Sequence, residues 1–362
     1  MYNHGNPIEL ADGTMTRRKI IYPVNEKLHS YLERYHRHTD IELTYNSLLD
    51  FNNAYPLEDE EGNDTLWRIV AYEPMVMKEL NQNLTRAYAT MKTDGDFSVL
   101  DHLHVERIDY CEFGNSHPFR IRIVNRYNDN YDHFYVKQAD ASRIFGLELE
   151  HLLSPNRMNY LVHDATLFEE HIAGVPGDQF ISQYFKRRSL NRVRLAKEFV
   201  KFNERSFVRL LGDMRCYNYV VDITPDFEDE QYRVRPIDFD QQSYEGNIST
   251  YIPHRFANNS PVVDLCREFI NPTTMRQYQL EERVLIARRW RAVENRVDRL
   301  IRCMRANPCS TDAKVAELGR GLNEYHGTDR FSDCQNMGDL LERQLEVSLA
   351  VAIRNLSKTS ER

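Results

Sequence analysis

The feature that most constrains the fold of this chain is a change of sequence pattern near residue 100. Residues 1–100 hold two segments with apolar residues at helical spacing, separated by the acidic loop 56–65, and predict a mainly helical region. The next three segments alternate apolar and polar residues and are rich in aromatic and β-branched side chains, as strands are. Turn residues separate these segments, so residues 101–139 predict an antiparallel three-stranded meander.

The rest of the chain predicts a small sheet followed by many helices. The predicted elements are a helix at 140–155, strands at 158–163 and 166–174, a helix at 181–211, a hairpin formed by 219–223 and 232–239, and helices after 260. This order predicts an α+β protein, with a five-stranded antiparallel sheet before a mainly helical part.

The composition excludes several classes of function. The 362 residues are 41% hydrophobic and 28% charged, with a net charge of −8, so neither nucleic acid nor an anionic membrane is an expected partner. The basic run 186–215 is predicted to be a solvated helix face. No apolar run is long enough to span a bilayer, no secretory signal is recognisable, and the six cysteines form no CxxC pair. These features predict a cytoplasmic protein with reduced thiols.

Common catalytic motifs are missing from the sequence. HExxH, Walker A, GxSxG and GxGxxG do not occur, which removes the usual indications of zinc proteases, P-loop enzymes, serine hydrolases and Rossmann enzymes. Two histidine-containing groups are predicted to be ordinary polar residues, because neither supplies four close ligands. They are His102 with His104, and His163 with Asp164 and His171.

Three oxygen-bearing side chains lie where apolar strands begin or end. Asp213 follows an apolar run, Asn218 comes five residues later, and Asp238 ends the second strand of the predicted hairpin. Carboxylates are costly to desolvate unless something compensates their charge. Mg²⁺ prefers oxygen ligands and keeps substrate phosphates in its coordination shell. The pattern therefore predicts a magnesium site, with one aspartate left to accept a proton.

These segments resemble the protein-kinase-like superfamily, and most closely its divergent small-molecule branch, the aminoglycoside and choline phosphotransferases. The resemblance covers about residues 100–265, and the segments that carry it are "FYVK", "SRIFGLELEHLL", "TLFEEHIAG", "GDMRCYN" and "IDFD". They resemble, in that order, the nucleotide-binding strand, the αC helix, the hinge, the catalytic loop and the metal-binding segment of that branch. Gly114 lies where the phosphate-covering loop is expected.

The resemblance implies how a nucleotide is held. Lys137 would clamp the phosphates of ATP, and either Glu148 or Glu150 would pair with Lys137. Glu148 is preferred because it shares a helix face with neighbouring apolar residues. Backbone groups near Glu170 and Ile172 would bind adenine.

The resemblance also implies the catalytic roles. Asp213 would be the catalytic base, while Asn218 and Asp238 would hold Mg²⁺. Asp240 would be either a further metal contact or a simple strand-end carboxylate. Arg209 and Arg215 lie near enough in sequence to sense a transferred phosphate.

The expected fold is the two-lobed protein-kinase-like fold with helical extensions at both ends. Its expected parts are a helical extension at 1–100, a sheet-rich lobe at 101–175 and a helical lobe with its extension at 176–362. The expected activity is ATP- and Mg²⁺-dependent transfer of the γ-phosphoryl group to a hydroxyl of a small-molecule or protein acceptor. Two alternatives stay open: a catalytically silent pseudokinase that binds nucleotide or protein, and a helical interaction protein with a chance motif.

Overall fold

The chain divides into two compact units. The computed structural model describes residues 8–9, 15–16, 19–93, 97–112, 116–227 and 229–360. The first unit, here called the sheet unit, comprises Met1–Val24, Leu32–Asp140 and Asn159–His171. The second, here called the helical unit, comprises Asn25–Tyr31, Ala141–Met158 and Ile172–Arg362. Gly114 lies outside the described residues.

The sheet unit is built on one antiparallel sheet of seven strands. Its strands are β3 (Asn53–Glu58), β4 (Asp64–Ala71), β5 (Leu103–Cys111), β6 (Phe119–Asn125), β7 (Tyr131–Gln138), β8 (Tyr160–His163) and β9 (Thr166–Glu170), which follow the short pair β1 (Ile8–Glu9) and β2 (Met15–Thr16). The spatial order is β3-β4-β5-β6-β7-β9-β8. The meander β5-β6-β7 and the strands β8 and β9 confirm the sequence-based elements.

The predicted number of five strands is wrong, because two strands come from the part predicted to be helical. β3 and β4 precede residue 100 and pair along the edge of the sheet. The acidic segment between them is the turn around Gly62, whose φ is +81°. Pro56 lies in β3, which is an edge strand where a missing N–H is tolerated. The proline and the charged turn interrupt the alternation of apolar and polar residues by which strands are recognised in a sequence.

The core of the sheet unit lies between the sheet and one long helix. Helix α3 (Pro74–Thr93) buries residues at spacings of three and four, which is the periodicity of one helix face. Alternate residues of β6 and β7 are buried as well, among them Ile121 and Phe134. The helical and strand residues belong to a single apolar cluster. Helix α2 (Tyr45–Leu48) contributes two buried residues to it.

The helical unit combines eight labelled helices with a small three-stranded sheet. The helices are α4 (Ala141–Leu153), α5 (Gly177–Gln179), α6 (Arg192–Val208), α7 (Ser260–Phe269), α8 (Pro272–Ala292), α9 (Glu294–Ala306), α10 (Asp312–His326) and α11 (Met337–Ser360), and most of α1 (Glu26–Arg34) also belongs here. The strands are β10 (Val175–Pro176), β11 (Tyr219–Pro225) and β12 (Glu230–Pro236), in that order and antiparallel. Helix α4 and the hairpin β11-β12 confirm the sequence-based elements. In the described part of the chain, no helix combines the length and the apolar character needed to cross a bilayer.

A buried ion pair fixes α4 within the helical unit. Arg209 is paired with Glu150, and both side chains are almost completely buried. Ser154 and the side-chain amide of Asn156 also donate to the Glu150 carboxylate. Burial alone would raise the pKa of Glu150, but Arg209 and these hydrogen bonds outweigh it and hold that pKa below its usual value.

We expect Arg209→Met to lower the free energy of unfolding by about 3–5 kcal/mol, because it leaves the Glu150 carboxylate buried and unpaired. Adding Glu150→Gln should restore most of the loss, since the double variant buries no charge at this site. Urea unfolding of the two variants measures both effects. Arg267→Met, which removes an ion pair between exposed residues, is the control and should change stability by less than about 0.5 kcal/mol. Equal losses in the single and double variants would contradict this account.

Candidate functional site

The loop that follows α6 is pinned by backbone hydrogen bonds to two later segments. The amide of Gly212 donates to the carbonyl of Gln241 at 3.1 Å, and the amide of Asp213 donates to the carbonyl of Thr250 at 2.9 Å. The amide of Ser243 donates to the carbonyl of Leu210 at 2.9 Å. These bonds fix the position of the Asp213 backbone on two sides.

This loop holds strained backbone conformations. Leu210 and Asp213 have φ values of +52° and +58°, which non-glycine residues rarely adopt. Such residues cost about 1–3 kcal/mol each and persist only where the surroundings enforce them. Gly212 lies between them, and a Cβ there would come within 3.0 Å of the Gln241 carbonyl oxygen.

Asn218 is bound to the same loop. A 3₁₀ turn at Cys216–Asn218 lets the Asn218 side-chain amide donate to the Asp213 carbonyl at 2.7 Å. The Arg215 guanidinium donates to the Asp213 carboxylate at 2.8 Å. The hairpin returns the chain to this place, because the amide of Ile237 donates to the carbonyl of Asn218 at 3.0 Å. Asp238 is the next residue, so the three residues predicted to share a site meet in one region of the helical unit.

Asp238 and Asp240 share one arginine, which the sequence did not identify. The Arg143 guanidinium donates to the carboxylates of Asp238 and Asp240 at 2.9 and 2.6 Å. The Arg143 side chain is only 3% exposed. Its neighbour Ser142 donates to the backbone carbonyls of Asp240 and Gln242. The first turn of α4 therefore binds the segment 237–242 through both its backbone and its charges.

Close packing of α4 against this segment depends on a small residue. A Cβ on Gly146 would come within 2.9 Å of the Phe239 Cβ and 3.1 Å of the Gln242 Cβ. Phe239 is completely buried, and Gln242 donates its side-chain amide to the carbonyls of Arg209 and Leu210. Gln242 thereby ties the Asp238 segment to the Asp213 loop.

Asp213 is electrostatically unusual. Burial raises its pKa to about 6, and the nearby Asp238 carboxylate raises it too, whereas Arg215 opposes the shift. The side chain is still 30% exposed, so it can exchange protons with solvent. A carboxyl group with a pKa near neutrality is suited to accept and release a proton in a reaction.

The residues present fit a hard divalent cation only with additional ligands. In the part of the chain that the structure describes, no group of three His, Cys, Asp or Glu side chains could hold a metal ion. The Asn218 amide nitrogen faces Asp213, which directs its amide oxygen elsewhere. That oxygen and the Asp238 carboxylate are the kind of ligands that Mg²⁺ takes when substrate phosphates and water complete its shell. The chemistry of these side chains therefore fits magnesium bound together with a phosphate ligand.

The residues predicted to bind the nucleotide have these positions. Lys137 lies in β7, is buried, and pairs there with Glu169 at 3.0 Å. Glu170 ends β9, and its backbone amide donates to the carbonyl of Asn159 at 3.1 Å. Ile172 is buried and belongs to the helical unit. The roles of Lys137, Glu170 and Ile172 in ATP binding stay predictions.

The two glutamates of α4 have partners within the helical unit. Glu148 is fully buried, accepts from the Tyr31 hydroxyl at 2.8 Å and pairs with Arg296. Glu150 has its charge compensated by Arg209, so it needs no lysine partner. Arg209 is likewise occupied by this pair, so its predicted role in sensing phosphate loses its physical basis. The predicted pairing of Lys137 with one of the two glutamates joins residues of different units and stays a prediction.

The residues that sequence reasoning missed were recognisable only in part. Gln242 comes two residues after Asp240, and its polar type before "SYEG" is a weak indication of a role. Arg143 gave no indication, because an arginine in the first turns of a helix is usually a solvated residue. Its role depends on a segment 95 residues away.

Comparisons with known proteins add little. A scan against protein families finds no match, and a search of curated proteins finds none either. Among solved structures, the chain is similar to the PAN3 pseudokinase of Neurospora crassa, at 11% identity over 77% of this chain and 71% of that one, with a TM-score of 0.20. A match with so low a TM-score supports no conclusion about the fold or the role of this chain.

The raised pKa of Asp213 predicts a pH-dependent cost to stability. Because its pKa rises from 3.8 in the unfolded chain to about 6 in the folded protein, the folded state binds more protons between these values. The free energy of unfolding therefore falls as pH increases through this window. Asp213→Asn cannot titrate, so it should match wild type near pH 4 and exceed it by about 1–2 kcal/mol above pH 7.

Urea unfolding at several pH values measures this difference. Asp264→Asn changes an exposed aspartate of α7 and should show no such dependence. A constant difference between Asp213→Asn and wild type at all pH values would contradict the assignment.

Proposed function

We propose that this protein has a protein-kinase-like fold of the small-molecule type and is an ATP- and Mg²⁺-dependent phosphotransferase. One observation carries the proposal. Asp213, with a pKa near neutrality, is pinned in a strained loop next to Asn218, and the β11-β12 hairpin returns Asp238 to the same place. A proton acceptor beside two oxygen ligands is the arrangement that phosphoryl transfer to a hydroxyl requires.

Asp213 is the proposed catalytic base. Its carboxylate accepts the proton of the acceptor hydroxyl as the oxygen attacks the γ-phosphorus, and the bond to the β-phosphate oxygen breaks. Arg215 holds one Asp213 oxygen at 2.8 Å and thereby orients the other. Orientation of this kind supplies much of the rate enhancement, because phosphoryl transfer needs positioning more than covalent chemistry.

Asn218 and Asp238 are the proposed ligands of Mg²⁺. The bound cation would neutralise charge on the transferred phosphoryl group. The hydrogen bond from Asn218 to the Asp213 carbonyl fixes the orientation of this ligand before any substrate arrives. The proposed roles of Lys137 with the phosphates, and of Glu170 and Ile172 with adenine, rest on the sequence resemblance.

A silent pseudokinase is a second candidate, and one contact favours it. Arg143 already compensates the carboxylates of Asp238 and Asp240. A fold that never binds a cation would need such a counter-ion permanently. In this reading, the protein binds nucleotide without magnesium or binds another protein.

We expect MgATP to stabilise the wild-type protein, and ATP with EDTA to do so much less. At ligand concentrations about 100 times the dissociation constant, the stabilisation is about 2.7 kcal/mol. Asp238→Asn should lose the magnesium-dependent part, while Asp213→Asn should keep it. A thermal-shift titration with ATP and either MgCl₂ or EDTA measures these differences, with Asp264→Asn as the matched control. A wild-type response that is equal with and without Mg²⁺ would favour the pseudokinase, and no response at all would overturn nucleotide binding.

Turnover, followed as ATP hydrolysis or as transfer to a hydroxyl acceptor, should depend on Asp213. Loss of a general base costs about 10²–10⁴-fold in rate. In the wild type, kcat/KM should fall as pH decreases through about 6, because protonated Asp213 cannot accept a proton. A pH–rate profile between pH 5 and 8 tests this expectation. An acid limb that persists in the residual activity of Asp213→Asn would assign the titration to another group.

A further inference from the structure

Arg143 contacts Asp238, the residue that the proposed function assigns to Mg²⁺ as a ligand. Its side chain is 3% exposed, and one of its terminal nitrogens lies 2.9 Å from an Asp238 oxygen and 2.6 Å from an Asp240 oxygen. Both carboxylates therefore direct an oxygen at the same positive charge. A divalent cation binding there would have to share these oxygens with the guanidinium or displace it.

We propose that Arg143 is a positioning residue that acts as an internal counter-ion, competing with the divalent cation for Asp238 and Asp240. The inference rests on the proposed function, because it concerns the same cation site. In this proposal, a residue of helix α4 sets the affinity of the site for a divalent cation. Free metal binds weakly while Arg143 holds the carboxylates, and metal that arrives with a phosphate ligand binds more tightly because the phosphate supplies additional oxygens.

The position of the segment does not depend on Arg143 alone. Ser142 donates to the backbone carbonyls of Asp240 and Gln242 at 3.0 and 2.9 Å. The close approach of α4 at Gly146 adds packing against Phe239. The charge of Arg143 and the anchoring of the segment can therefore be separated by mutation. Arg143→Gln removes the charge and keeps both anchors, whereas Ser142→Ala removes a backbone anchor and keeps the charge.

The probe is Mn²⁺ alone, without nucleotide, added to the full chain and followed by the loss of the free Mn²⁺ electron paramagnetic resonance signal. Removing a positive charge within hydrogen-bonding distance of two carboxylates should tighten Mn²⁺ binding by about tenfold or more. We expect this increase for Arg143→Gln, and values close to wild type for Arg143→Lys and Ser142→Ala. Mn²⁺ should also raise the unfolding temperature of Arg143→Gln more than that of wild type.

A charge-balanced variant covers the case in which Arg143→Gln does not fold. Arg143→Gln combined with Asp240→Asn removes one positive and one negative charge, so no additional uncompensated carboxylate is buried. Asp238 is then free of the guanidinium, and Mn²⁺ should still bind several-fold more tightly than to wild type.

The outcomes separate this inference from the proposed function. Equal Mn²⁺ affinity in wild type, in Arg143→Gln and in the double variant Arg143→Gln/Asp240→Asn overturns the counter-ion role, whereas a retained response of wild type to MgATP leaves the proposed function standing. Equal tightening by Ser142→Ala and Arg143→Gln also overturns it, because loosening of the segment would then explain both. No response of wild type to MgATP, together with tight Mn²⁺ binding by Arg143→Gln, supports the counter-ion and rejects the phosphotransferase.

Discussion

The geometry of the candidate site depends on the pairing of two loops, the one that carries Asp213 and the one that carries Asp238. Gln242 donates its side-chain amide to the carbonyls of Arg209 and Leu210, and backbone bonds join Gly212 to Gln241 and Ser243 to Leu210. These contacts enforce the left-handed backbone of Leu210 and Asp213. Without them, the strain at Leu210 would be released, because an aliphatic residue has no intrinsic preference for this conformation. The site therefore depends on backbone polar groups more than on the carboxylates themselves.

Part of this geometry was predictable from local patterns. The alternation in β11 and β12 predicts a hairpin. In the observed register, the end of β12 lies beside the start of β11, because Pro236 pairs with Tyr219. Asn218 precedes the first strand and Asp238 follows the second, so their proximity follows from the pairing alone. Strands β3 and β4 were not predictable in the same way. Their pattern is interrupted by Pro56 and by a charged turn, and they join the sheet because β4 pairs with β3 on one side and with β5 on the other.

The partners of buried charges could not be predicted from sequence. Glu150 pairs with Arg209, and Glu148 pairs with Arg296, 148 residues away. Nothing in the helix sequence distinguishes the two glutamates by partner. The raised pKa of Asp213 has the same origin, because burial and a second aspartate cause it. These properties arise from the packing of distant segments, which periodicity and spacing do not report.

The charged side chains around the candidate site affect how a divalent cation would bind there. Asp213, Asp238 and Asp240 supply three carboxylates here, and Arg143 and Arg215 supply two guanidinium groups that contact them. Under the proposed function, these arginines weaken the attraction of the site for a free divalent cation. A cation already bound to a triphosphate brings its own oxygen ligands and loses less hydration on entering. Under the proposed function, this charge balance favours the binding of nucleotide and metal together.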